Sequence, residues 1–155
     1  MRIALFQPDI PQNTGTILRM AACLNVPVDV IEPAGFDLSD RTLKRAGLDY
    51  LEHVQLVRHQ SWATFLAERT PGRLVLLTTA ADQSYLDHRF APDDLLLLGR
   101  ESAGAPSYVH DAADARLRIP MRPDLRSLNI AVATAMVLGE ALRQVGGFEG
   151  LAKQT

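Results

Sequence analysis

Short apolar runs alternate along this chain with segments whose apolar side chains recur every three to four positions, so strands and helices are predicted in turn. Arg2 to Phe6 reads as the first strand. The stretch Gln7-Pro8-Asp9-Ile10-Pro11-Gln12 cannot be regular, because its two prolines remove donors and restrict the residues before them. Ile17, Leu18, Met20, Ala21 and Leu24 then mark one face of a helix that starts near Asn13 or Thr14, with Asn13 as a good N-cap. Val26 to Ile31 is the second strand, Asp40 to Gly47 a short helix capped by Asp40 and stopped by Gly47, and Glu52 to Val57 the third strand. Ser61 caps a helix to Thr70 that turns Trp62, Phe65 and Leu66 inward. Arg73 to Thr79 is a continuous apolar strand of the kind buried on both faces, followed by strands at Leu95 to Leu98 and Leu117 to Ile119. The last helix, Leu128 to about Val145, is apolar nearly all round and rich in alanine, so it needs cover on more than one side. Strands alternating with helices predict an α/β fold with a mostly parallel sheet flanked by helices.

Within that frame the stretch from Leu95 to Val137 carries the chemistry. Its first strand stops on Gly99 and gives way to a turn containing Gly104, which leaves backbone donors open at the carboxyl edge of the sheet. A second such edge follows at Ile119-Pro120-Met121, and Arg126-Ser127-Leu128-Asn129 opens the last helix. The expectation is a pocket with two walls and a helix N-terminus as its floor. Gly15, in the first turn of the first helix, is poor for propensity and suggests that something approaches the backbone there. Arg19 lies in the next turn, and a lone helical arginine is ordinarily a surface residue.

Composition narrows the classes. A chain of 155 residues fits one domain over residues 1–155, and 47% hydrophobic with 22% charged residues is a globular balance. The single cysteine, Cys23, excludes a disulfide framework and is expected to be a buried structural thiol, since it sits in an apolar helical run. His53, His59, His88 and His110 lack metal-ligand spacing and are expected to be structural or surface residues, so no metal is expected. No signal-peptide pattern opens the sequence and no apolar run spans a bilayer, so a cytoplasmic protein without a membrane anchor is expected. A net charge of −2 argues against a protein that coats nucleic acid by bulk electrostatics. Basic residues nevertheless cluster at Arg41, Lys44 and Arg45, and again at Arg116, Arg118, Arg122 and Arg126, where Asp124 is the acidic interruption. From charge alone both clusters read as solvated faces.

Three segments together carry a resemblance: Asn13-Thr14-Gly15-Thr16-Ile17-Leu18-Arg19, then Gly99-x-Glu101-x-x-Gly104, then Ile119-Pro120-Met121 with Ser127-Leu128-Asn129. In this order and spacing they resemble the three motifs of the SPOUT (α/β-knot) RNA 2′-O-ribose methyltransferases. The resemblance extends over nearly the whole chain, including Ile31-Glu32-Pro33 and the run from Arg45 to Tyr50. It is strongest to the TrmL branch, the tRNA (cytidine/uridine-2′-O)-methyltransferases of the anticodon wobble nucleotide. It implies a C-terminal trefoil knot, S-adenosylmethionine as methyl donor, a homodimer, and the anticodon stem-loop of tRNA, leucine tRNAs among them, as partner. Carried over residue by residue, donor contacts fall on Leu77, Thr78, Gly99, Gly104, Ile119, Met121, Ser127 and Leu128. Arg19 would act on the ribose 2′-hydroxyl with Asn13, Glu101 and Asn129 in support, and Arg41, Lys44, Arg45, Arg122 and Arg126 would hold tRNA phosphates. Many relatives carry a polar residue two positions after the third motif's asparagine, where this chain has Ala131. Other readings stay open: a Rossmann-type nucleotide enzyme, although no G-x-G-x-x-G follows the first strand, a methyltransferase of another RNA site, and a non-catalytic RNA-binding module.

Overall fold

The continuous apolar runs become the interior strands of one sheet. The computed structural model describes residues 1–45 and 49–151. Among these residues the strands are β1 (Arg2–Phe6), β2 (Val28–Ile31), β3 (Leu56–His59), β4 (Leu74–Leu77), β5 (Gln83–Ser84), β6 (Leu95–Leu98) and β7 (Ala115–Arg118). The helices are α1 (Pro11–Cys23), α2 (Asp40–Arg45), α3 (Trp62–Glu68), α4 (Ser107–Ala112) and α5 (Ile130–Val145). All strand pairs are parallel, in the order β3-β2-β1-β6-β4-β7-β5. The chain therefore runs outward from β1 to β3 and later returns to the other side of β1 with β6. That reversal is a topological switch point, and the registers Leu5↔Leu98, Leu77↔Leu98 and Leu77↔Leu117 bring four strand ends level beside it.

Alternate residues of each strand serve opposite layers. Ile3, Leu5, Val28, Val30, Val75, Leu96 and Leu98 pack under α1, α2 and α5, whereas Ala4, Phe6, Leu74, Leu76, Leu95 and Leu97 face α3 and α4. All four β6 leucines are buried, and each contributes roughly 2 kcal/mol by leaving water. The two-residue β5 leaves little exposed ladder at its edge of the sheet. No helix of the described residues is long and apolar enough to cross a membrane.

Several expected boundaries and burials change. The third strand is Leu56–His59 rather than Glu52 to Val57, and Leu51–His53 is a 3₁₀ turn. Pairing decides this, because Val28 meets Leu56 and the buried His59 Nε2 bonds Asp29 Oδ1 at 2.8 Å. The helix α1 starts at Pro11, where a missing N–H costs nothing, with Ile10 as its N-cap; Asn13 is not the cap. Ser39 Oγ, not Asp40, accepts from Thr42 N in the first turn of α2, and the expected stop at Gly47 lies outside the described residues. Leu66 is 41% exposed rather than inward. Cys23 is exposed, not buried, because it lies about 200° round α1 from the buried Ala21. Neither α4 nor β5 was expected. The last helix begins at Ile130, with Asn129 as its N-cap, accepting from Ala131 N and Val132 N, and ends on Gly146 at φ 68°.

Candidate active site

Above the level carboxyl ends of β4, β6 and β7 lies a cleft of about 740 Å³. Leu77 and Thr78 enter it from the end of β4, Gly99, Glu101 and Gly104 from the turn after β6, and Ile119 and Met121 from the loop after β7. Ser127, Leu128 and Asn129 close it from the exposed segment that leads into α5, and Asn13 reaches it from α1. The residues of the three motifs that were expected to bind or support a donor thus line one cavity, although more than a hundred residues separate the first from the last.

The turn after β6 is held by its own backbone. Arg100 N donates to Gly104 O at 3.0 Å and Gly104 N to Arg100 O at 2.8 Å, with Gly104 at φ +65°. Gly99 is pressed against this loop, so that a Cβ on it would lie 2.6 Å from both Ala105 N and the Gly104 carbonyl carbon. Gly104 itself has open space, and only its dihedral demands glycine. On the other wall Asn129 Nδ2 donates to Asn13 Oδ1 at 3.0 Å. Since Asn129 Oδ1 also caps α5, one amide fixes that helix end and ties it to α1. Ala131 is buried and lies outside the lining, so the absence of a hydroxyl there leaves the wall unchanged.

Glu101 is locked to a residue from the other end of the sequence. Asp9 N donates to Glu101 Oε2 and Glu101 N donates to Asp9 Oδ1, both at 3.1 Å, and Ser102 Oγ donates to Asp9 Oδ2. Hydrogen bonding from the Glu101 side chain, with Ser102 and backbone amides, holds the Asp9 carboxyl down at about 2. Burial, and then the neighbouring Asp9, push the Glu101 carboxyl up.

Arg19 stands apart from this cleft. It is exposed on α1, six residues or about 9 Å along the helix from Asn13, with its guanidinium carbon 4.8 Å from the centre of the Tyr50 ring. Arg41, Lys44 and Arg45 are exposed on α2, which packs beside α1. Arg122 is exposed and paired with Asp124 at 3.0 Å, while Arg126 lines the cleft. No group of three or more metal-ligating side chains is present among the described residues.

The profile of the SpoU rRNA Methylase family matches residues 1–139. The chain belongs to this family. A tRNA (cytidine(34)-2′-O)-methyltransferase of Beijerinckia indica is 63% identical over 146 residues, covering 93% of this chain and 91% of the relative. A solved structure concerned with 2-OH methylation of C/U34 on tRNA superposes with a TM-score of 0.87 at 44% identity, covering 94% of this chain and 96% of the other. The SpoU methyltransferase AviRb from Streptomyces viridochromogenes, in complex with the cofactor AdoMet, gives a TM-score of 0.82 at 30% identity over 93% of this chain and 60% of that one.

In this SpoU family member the cleft also takes in residues that the sequence reading missed. Arg100 occupies a variable position of the second motif, so its place was signalled by its neighbours rather than by itself. His110 borders the cleft from α4, whereas it was expected to be structural or on the surface. Without α4 in the predicted order nothing placed it near the strand ends.

Proposed function

We propose that this chain is a tRNA (cytidine(34)-2′-O)-methyltransferase that uses S-adenosylmethionine to methylate the ribose 2′-hydroxyl of the wobble nucleotide. The observation that carries the reading is the convergence of Asn13 from the first motif with the second and third motifs on one cleft at the switch point of the sheet. The cleft fits the donor. Its volume suits a nucleoside-sized ligand, Leu77, Leu98, Leu117 and Ile119 offer a dry wall, and the Gly99 turn presents backbone rather than side chain. Bound there, S-adenosylmethionine supplies an electrophilic methyl group on a sulfonium. Binding of labelled S-adenosylmethionine with no retention of labelled NAD is the expected result; the reverse supports a Rossmann-type enzyme instead.

The protein's tasks are in-line placement of a weak nucleophile and exclusion of water. Leu77, Thr78, Gly99, Gly104, Ile119, Met121, Ser127 and Leu128 hold the donor, and the Asn13–Asn129 bond keeps α1 at a fixed distance from it. Arg19 aligns and polarises the 2′-hydroxyl and its phosphate, because a guanidinium with a pKa above about 12 is a poor base. RNA laid across α2 and α1 meets Arg41, Lys44 and Arg45 before Arg19, and Arg126 at the cleft. Replacing Lys44 and Arg45 with alanine is expected to lower tRNA affinity and to flatten the slope of log affinity against log salt by about 1.5, at roughly 0.7 to 0.9 per phosphate. A change in turnover alone, with affinity and slope intact, removes them from the phosphate contacts.

The active species in this reading is a cytoplasmic homodimer of single-domain chains. Val132 and Met136 on α5 are 51% and 40% exposed, and Leu125 and Leu128 in the segment that leads into α5 are also exposed, so large apolar side chains are left uncovered here, as at an interface. Ala135 is exposed on the same helix. Ala135→Arg is expected to weaken association by on the order of 3 kcal/mol, since an unpaired charge would enter the seam. Sedimentation that finds wild type already a folded, active monomer contradicts the assignment. We also infer the trefoil knot in the last third of the chain. The insertion of β6 between β1 and β4 and of β7 between β4 and β5 supports it, as does the reach of Gln144 on α5 back to Phe90 N and His88 O in the preceding crossover.

A further inference from the structure

Asp9 sits where three loops of the carboxyl edge meet. Its amide and carboxylate make the reciprocal bonds with Glu101, and the carboxylate also accepts from Ser102 Oγ, in the loop after β6. Behind it the loop after β2 closes in, with Gly35 N donating to Pro8 O at 2.8 Å and Gly35 so near that a Cβ on it would lie 2.7 Å from the Asp9 Cβ. The prolines on either side, which keep this stretch out of regular structure, are what leave the Asp9 N–H and carboxylate free for these partners. Asp9 itself is outside the cleft lining, while its neighbour Ile10 and its partner Glu101 are in it.

We propose that Asp9 is a positioning residue for methyl transfer, acting through Glu101: its reciprocal bonds fix the Glu101 carboxyl in the cleft wall at a set distance from α1 and Asn13. Two loops that carry opposite walls are joined here by side-chain-to-backbone bonds running in both directions, an arrangement that fixes both separation and register. One bond holds the Glu101 carboxyl and the other its backbone N–H, so both ends of that residue are tied to Asp9. The proposal rests on the cleft being the methyl-transfer site.

The test is a double-mutant cycle on turnover. Asp9→Asn keeps the shape and one acceptor but removes the charge, and it is expected to lower kcat on the order of tenfold to a hundredfold, the scale of a small misplacement at a reacting centre, with KM for tRNA and donor affinity by calorimetry unchanged. In a Glu101→Gln background the same change is expected to cost nothing further, since the residue it acts through is already gone. Additive losses in the cycle, or a fall in melting temperature and donor affinity with kcat intact, overturn the proposal and leave Asp9 a structural residue. Should Asp9→Asn not fold, Ser102→Ala removes the exposed bond of the same network, and its smaller loss of kcat must likewise vanish beside Glu101→Gln. A Glu101→Gln enzyme that turns over like wild type removes this wall from the reaction altogether, whereas an impaired Glu101→Gln with an indifferent Asp9→Asn removes only the positioning role.

Discussion

Arg19→Ala is expected to lower kcat by roughly two orders of magnitude or more while leaving the fold and donor affinity near wild type. The stability side follows from its surroundings. Arg19 is exposed and its recorded contact is the face of Tyr50, and an exposed cation–π pair contributes about 0.5–1 kcal/mol. In a chain of this size such a loss lowers Tm by about 2–4 °C at most. Arg19 is not among the residues lining the cleft proposed to hold the donor, so calorimetry with S-adenosylmethionine is expected not to register its removal. What remains is an interaction with the RNA that strengthens as the hydroxyl becomes a nucleophile, and that appears in kcat. Arg19→Lys is expected to rescue poorly, because a point charge cannot reproduce the planar fork. Single-turnover methylation at saturating tRNA decides: intact kcat with weakened tRNA affinity makes Arg19 a phosphate contact only.

Gly99→Val is expected to weaken donor binding by more than about 100-fold, or about 2.7 kcal/mol, with the protein still folded. The added Cβ would fall 2.6 Å from two backbone atoms of its own turn, and backbone held by the Arg100–Gly104 bonds cannot step aside. The turn must open, and with it the cleft wall proposed to face the donor. Gly104→Ala provides the contrast. No atom obstructs a side chain there, so the cost is about 1–2 kcal/mol for a left-handed dihedral, and binding survives in weakened form. Calorimetric titration of both variants with S-adenosylmethionine separates the two mechanisms, and undiminished binding by Gly99→Val places the donor elsewhere.

The legible parts of this fold were those in which local sequence and tertiary environment agree. Leu74 to Leu77 and Leu95 to Leu98 are uniformly apolar, and Val28 to Ile31 is so apart from the buried Asp29, because parallel strands in mid-sheet are covered on both faces, and they could be read directly. The edge strand β3 could not, because its exposed Val57 and Arg58 carry no such signature and pairing with β2 sets its start. The six-residue α4 is too short to show a period, and its absence from the reading hid His110. Asn13 shows the competition between local and distant roles most clearly: as a local signal it is a helix cap, yet Pro11 takes over the helix start and leaves the Asn13 amide to meet Asn129 across the cleft. The partnership of Asp9 with Glu101 spans 92 positions and has no local signature at all.

The central claim is methyl transfer to the ribose of the tRNA wobble nucleotide, and nucleoside mapping tests it most directly. Purified protein incubated with labelled S-adenosylmethionine and bulk tRNA or ribosomal RNA, followed by digestion and position mapping, is expected to place label on the 2′-oxygen of the anticodon's first nucleotide in tRNA, with ribosomal RNA unlabelled. Label on a base, at another tRNA position or in ribosomal RNA, or tRNA binding with no transfer at all, contradicts it.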